Sequence, residues 1–140
     1  MQTSHLATEW SLLQNQFDSY EKLSLLIKLT SITVLTASLL TEKLTLFIVM
    51  ILLVLWFQDA IWKTFQSRID QRLLQIEPYL LSNQNPGTQE SQAFQFNSLY
   101  LKNRPSSLGL IVEYGRQAAR PTIAFPHLIL LMMSAVKLIA

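Results

Sequence analysis

Three stretches of this chain are free of charge: no Asp, Glu, Lys or Arg lies between Lys28 and Glu42, between Lys43 and Asp59, or between Arg120 and Lys137. A continuous apolar run of about 20 residues, coiled as a helix, is as long as the hydrocarbon core of a bilayer is thick. Only 14% of the residues are charged, against about 25% in an ordinary soluble domain. The charges are missing where a membrane would exclude them. The sequence therefore predicts an all-α integral membrane protein with three transmembrane helices. The expected spans are residues 23–40 (LSLLIKLTSITVLTASLL), 44–62 (LTLFIVMILLVLWFQDAIW) and 121–140 (PTIAFPHLILLMMSAVKLIA). A β-barrel would need many short alternating segments, so helices are the only spanning structure these runs allow.

The apolar pattern does not stop at the predicted membrane edge. Before the first span it recurs at Leu6, Trp10, Leu13, Phe17 and Tyr20; after the second it recurs at Trp62, Phe65, Ile69, Leu73, Ile76 and Leu80. Both series have the spacing of one helix face. Folding the chain at Thr41 sets Tyr20 opposite Trp62, Phe17 opposite Phe65, Leu13 opposite Ile69 and Leu6 opposite Ile76, with Trp10 beside Leu73. The first two spans are thus expected to form one long antiparallel hairpin (residues 1–81). Arms 4–22 and 63–80 would carry its seam out of the bilayer. Two amphipathic helices lying flat on the lipid surface are the alternative. Glu21 falls near Lys63 and Glu9 near Arg72, expected as exposed pairs worth about 0.2–1 kcal/mol each. The turn runs through residues 40–44, with Thr41 and Thr45 as candidate caps and Glu42 suited to the first turn of the next helix. No Pro or Gly interrupts either arm before Pro78, which is placed to end or kink the second one.

Residues 82–105 read as a loop, opening with SNQNPGTQE and continuing into the more apolar AFQFNSLYL. An amphipathic interfacial helix is predicted over 106–120, capped by a serine of the Pro105-Ser106-Ser107 segment, with Leu108, Ile111 and Val112 on its apolar face. Glu113 and Arg116 form an i,i+3 surface pair in that reading. Pro126 lies deep enough in the third span to bend it.

Orientation follows the basic residues. Lys22, Lys28, Lys63, Arg68, Arg72, Lys102, Arg104, Arg116 and Arg120 share one side and only Lys43 and Lys137 the other, nine against two. Basic loops stay in the cytoplasm. The N-terminus is therefore expected inside and the C-terminus outside, in a bacterial inner (plasma) membrane. Residues 1–22 contain no apolar run and do not resemble a cleavable signal peptide. Tyr20, Trp56 and Trp62 would lie at the inner interface.

The intramembrane polar candidates are Lys28, Ser31 and His127. An intramembrane charge is costly and invites a functional reading, but Lys28 lies close enough to the arm end to snorkel outward, toward Asp59. Ser24, Lys28, Ser31, Ser38 and Glu42 draw a polar line down the first span, with Thr30, Thr33 and Thr41 beside it. That line suits a hydrated path or ordinary close packing of hydroxylated residues. His127 has no sequence neighbour to make it a haem ligand or proton relay. There is no cysteine, hence no disulfide and no thiolate chemistry. No phosphate loop, dinucleotide fingerprint, metal-ligand spacing or nucleophile elbow is present. The sequence accordingly predicts no catalytic, cofactor or metal residues, and no enzyme acting alone. The net charge of +2 and the scattered basic residues predict no nucleic-acid partner. The expected partners are the lipid bilayer and a protein, either a larger membrane complex or a second copy. The leading expectation is a small accessory or scaffold subunit. The alternatives are an oligomeric pore former of holin-like size, lined by the Ser/Thr face, and a small subunit of a transporter or respiratory complex.

Overall fold

A computed structural model describes residues 5–81 and 93–139. Ser4, Ala140 and the first part of the expected loop, residues 82–92, lie outside the described residues. Five helices occur among those described: α1 (His5–Leu40), α2 (Leu46–Leu81), α3 (Phe96–Asn103), α4 (Ser107–Ala118) and α5 (Pro121–Ile139). α1, α2 and α5 are long and apolar enough to cross a membrane. α1 and α2 have 36 residues each, about 54 Å at the α-helical rise. That is well beyond the roughly 30 Å of a hydrocarbon core.

α1 and α2 pack antiparallel as the mirrored pattern requires. Leu6, Leu13, Ile69, Leu73 and Ile76 form one buried cluster, with Trp10, Phe17 and Tyr20 packed against it. The Tyr20 and Trp62 rings lie 5.2 Å apart. One seam position departs from expectation. Phe65 is 36% exposed and its ring stacks on Tyr20 from the side, at 6.4 Å. The inward position beside Phe17 belongs to Gln66, whose Nε2 donates to the Phe17 carbonyl at 3.3 Å and to Glu21 Oε2 at 2.8 Å. The spacing of Leu6, Trp10, Leu13, Phe17 and Tyr20 alternates four and three. Its partner on α2 is Trp62, Gln66, Ile69, Leu73 and Ile76, which alternates in the same way. The heptad geometry prevails over the hydrophobicity of Phe65.

Both anticipated arm pairs form, but they differ in setting. Lys63 Nζ meets Glu21 Oε2 at 2.5 Å near the surface. Arg72 Nε and Nη2 grip the two oxygens of Glu9 at 2.9 and 3.2 Å, with both side chains buried. The expectation of an exposed pair is corrected here, because α3 and the segment before it cover this end of the hairpin. The Phe94 N–H donates to Glu9 Oε2 at 2.6 Å, and Phe96 packs on the seam.

The turn is a left-handed helix cap. Lys43 N–H donates to the Ser38 carbonyl and Glu42 N–H to that of Leu39. These are the two bonds of a Schellman motif. Glu42 holds its left-handed residue, at φ 54°. It therefore terminates α1 and does not begin α2, which starts at Leu46.

Further differences concern the smaller elements. Part of the expected 82–105 loop is helix α3, and α2 continues through Pro78 to Leu81. α5 also continues through Pro126, so a bend there does not end the helix. Ser106 caps α4 as expected, its Oγ accepting from the Gly109 N–H at 3.3 Å. Leu108, Ile111 and Val112 point away from the bundle. Glu113 pairs with Arg68 of α2, at 2.8 Å, and not with Arg116.

Candidate functional site

The three membrane-length helices are apolar outside and polar inside. Leu25, Leu29, Ile32, Phe47, Val54, Phe125 and Met132 are exposed, whereas Ser24, Ser31, Ser38, Asp59, His127 and Ser134 are buried. An apolar exterior of this extent is stable against lipid and costly against water. The interior is where chemistry can be held.

Its centre is Asp59 of α2, fully buried. Ser24 and Lys28 lie one helical turn apart on the same face of α1, and both reach it. The Ser24 hydroxyl donates to Asp59 Oδ1, and Lys28 Nζ lies 3.8 Å from Oδ2. His127 approaches from α5, with Nε2 3.2 Å from the same Oδ2. A carboxylate only accepts, so beside an ionised Asp59 the imidazole donates from Nε2. Trp56, three residues before Asp59 on α2, stacks its ring on His127 with centroids 6.2 Å apart and planes 12° from parallel. The indole N–H donates to the Ala118 carbonyl at 3.2 Å, so the end of α4 fixes the ring that flanks the imidazole. Trp56, expected at the inner interface, thus also makes an internal contact.

The structure thus brings two of the three polar candidates, Lys28 and His127, together through Asp59. It leaves Ser31 out: that hydroxyl donates to the Ile27 carbonyl of its own helix at 2.9 Å. Ser38, Thr30 and Thr33 are spent in the same way on carbonyls of α1. Asp59 and Ser24 are the residues that sequence reasoning undervalued. The signal for Asp59 was present, since an acid within an apolar run is as costly as the lysine that was singled out. His127 is not the isolated histidine it resembles in sequence, because its partner lies 68 positions away.

A second polar cluster sits on the arms. Arg68 donates to Tyr100 at 3.0 Å and to Glu113 at 2.8 Å, and its guanidinium lies over the Tyr100 ring, 4.9 Å from the centroid. The adjoining cleft, about 170 Å³, has its two arginines engaged with Glu113 and Glu9. This cluster ties α3 and α4 to α2. Among the described residues, no group of three or more His, Asp and Glu side chains is arranged to hold a metal ion.

No protein-family model matches this chain, and no curated protein or solved structure is significantly similar to it.

Proposed function

We propose that this chain is a small integral membrane accessory or scaffold subunit that docks a larger membrane assembly or a second copy of itself. Its hairpin arms would face the cytoplasm of a bacterial cell. The observation that carries the reading is the packing of the arm half of the hairpin. Its seam is buried, its far end is clamped by Glu9 and Arg72, and α3 and α4 brace one side. A helical pair held this firmly beyond the length of a membrane core is a platform, whereas a simple lipid anchor has no use for it. The nine-to-two placement of basic residues supports arms inside and a C-terminus outside.

The test is purification in mild detergent with cross-linking through single cysteines on the arms, for which the cysteine-free chain is well suited. A scaffold should carry a stoichiometric partner or cross-link to a second copy, and weakening the arm clamp should release it. A monomer without partners in native membranes would refute the reading. Labelling of Ser11→Cys from the cytoplasm and of Lys43→Cys from outside tests the orientation.

The specific observation of a charged centre shared by α1, α2 and α5 favours a second reading, a subunit of a transporter or respiratory complex. The pore-forming alternative draws little support. The hydroxyl groups that would line its lumen bond to their own helix or face the hairpin interior.

A further inference from the structure

The three long helices are not sealed equally at their two ends. At the arm end, an open cleft of about 360 Å³ enters between α1, α2, α4 and α5. Glu21, Lys28, Lys63, Asp70, Gln117 and Arg120 line it. A water molecule occupies about 30 Å³ in the liquid, so the cleft admits a chain of several. Its floor is the Lys28 side chain, which keeps 20% of its surface exposed while its ammonium lies 3.8 Å from Asp59. One wall is Gln117. That side chain is only 7% exposed, and its Oε1 has no hydrogen-bond donor. A buried amide oxygen in that condition is costly.

Beyond His127, toward the turn, the described interior is apolar. Leu35, Leu52 and Leu130 pack into a buried apolar plug. The hydroxyls of Ser31, Ser38 and Ser134 around it all donate to carbonyls of their own helices. None is left to pass a proton onward.

We propose that Asp59 and His127 form a proton-binding site within the spans, loaded from the arm end alone through this cleft, with Lys28 as its inner gate. The ligand is a proton delivered by water. Uptake transfers one proton from a cleft water to the Asp59–His127 pair, and that water recovers one from bulk. No electron moves. Starting from charged Lys28, ionised Asp59 and neutral His127, the centre rises from zero to +1. The groups that face it are Ser24 and Lys28 from α1, Trp56 from α2 and His127 from α5. Glu21, Lys63, Asp70 and Arg120 stand around the cleft. Lys28 lies between cleft and carboxylate, so its ammonium both balances Asp59 and occupies the proton's route. The proposal does not rest on the scaffold reading, since a scaffold needs neither a cleft nor a histidine at this depth.

Two measurements test it. Single cysteines are placed at the rim (Ser67→Cys), at the floor (Lys28→Cys) and one turn deeper (Ser31→Cys) in vesicle-reconstituted chain, and a small water-soluble thiol reagent is added. The rim and floor should react about ten-fold or more faster than the deep site, because thiol reactivity follows access to water. A floor cysteine as inert as the deep one, in vesicles where the rim site labels, overturns the cleft as an access route. The second measurement uses the unmodified Lys28 chain, so it survives a folding defect in Lys28→Cys. pH-difference infrared spectra should show carboxyl or imidazole bands that disappear in both Asp59→Asn and His127→Gln. Spectra of either variant identical to the parent overturn the site. In vesicles whose Ser67→Cys counterpart labels from outside, an external pH jump should elicit the bands. Bands that appear only after an internal jump overturn the assignment of side.

Discussion

Glu9 and Asp59 are both carboxylates with less than 5% of their surface exposed, and both join α1 to α2, yet they are held in opposite ways. Glu9 is gripped in bidentate fashion by one guanidinium and capped by a backbone N–H, under a cover of α3. Asp59 is shared among a hydroxyl, an imidazole and a more distant ammonium, beside a cleft. A planar guanidinium is always charged and has a fixed donor geometry, so the Glu9 arrangement has a single state. Imidazole and amine both change protonation with their surroundings. The contrast separates a two-residue lock from a carboxylate shared by three helices.

The largest effect that can break this comparison is expected at the lock. Arg72→Met leaves the Glu9 carboxylate buried with the Phe94 N–H as its remaining anchor. Removing one partner of a buried ion pair costs about 3–5 kcal/mol. Hydrogen exchange of the arm helices should rise accordingly while the membrane-length segments stay protected. Equal loss of protection in both regions would show that they are not separable.

A smaller loss is expected at Asp59. Asp59→Asn retains groups able to bond Ser24 and His127, and Lys28 can turn its charge into the cleft. The variant should lose about 1.5–3 kcal/mol, the worth of hydrogen bonds to a charged group, read as an earlier thermal release of α5 from the hairpin in detergent. A loss as large as that of Arg72→Met would make Asp59 a second lock.

Glu42 supplies a control remote from both carboxylates. A left-handed conformation costs a side-chain-bearing residue about 1–2 kcal/mol, a cost that glycine escapes at some expense in chain entropy. Glu42→Gly should therefore stabilise the hairpin by about 0.5–1 kcal/mol in unfolding experiments, with no change in the behaviour of either carboxylate.

The smallest effect concerns Glu21, the exposed counterpart of Glu9. Hydrogen bonds from Lys63 and then Gln66 hold its carboxyl below the ordinary glutamate range. A depressed folded value means stability that is complete above the unfolded value and lost as pH falls through the folded one. Acidification below the usual glutamate range should loosen the Glu21–Lys63 contact. Its effect on unfolding should be slight, since 61% of the Glu21 side chain is exposed and water screens the pair. Disappearance of this acid sensitivity in Glu21→Gln would confirm the source; its persistence would assign it elsewhere.

Legibility followed the range of the interaction. The register of Tyr20 on Trp62 and of Leu13 beside Ile69 was readable because a helix face repeats locally and a short turn fixes the offset. The substitution of Gln66 for Phe65 at the seam was not. Both lie within one turn of Trp62, and only the heptad of the opposing arm chooses between them. The cover over Glu9 was also hidden, since the turn that leads into α3 reaches it from 85 positions away at Phe94.

By itself, then, the sequence determined the three apolar segments, the hairpin and its approximate register, all consequences of periodicity and of the absence of charge along continuous chain. Only the tertiary structure decided which polar residues meet. The rotation of α5 about its axis and its vertical offset against the hairpin place His127, and not a neighbour, against Asp59. Those two quantities go with the face of α5 that is buried, Ile123, His127, Leu130 and Ser134, of which Leu130 packs on Leu35 of α1 and Leu52 of α2. No local pattern in the chain carries the shape of the groove between α1 and α2.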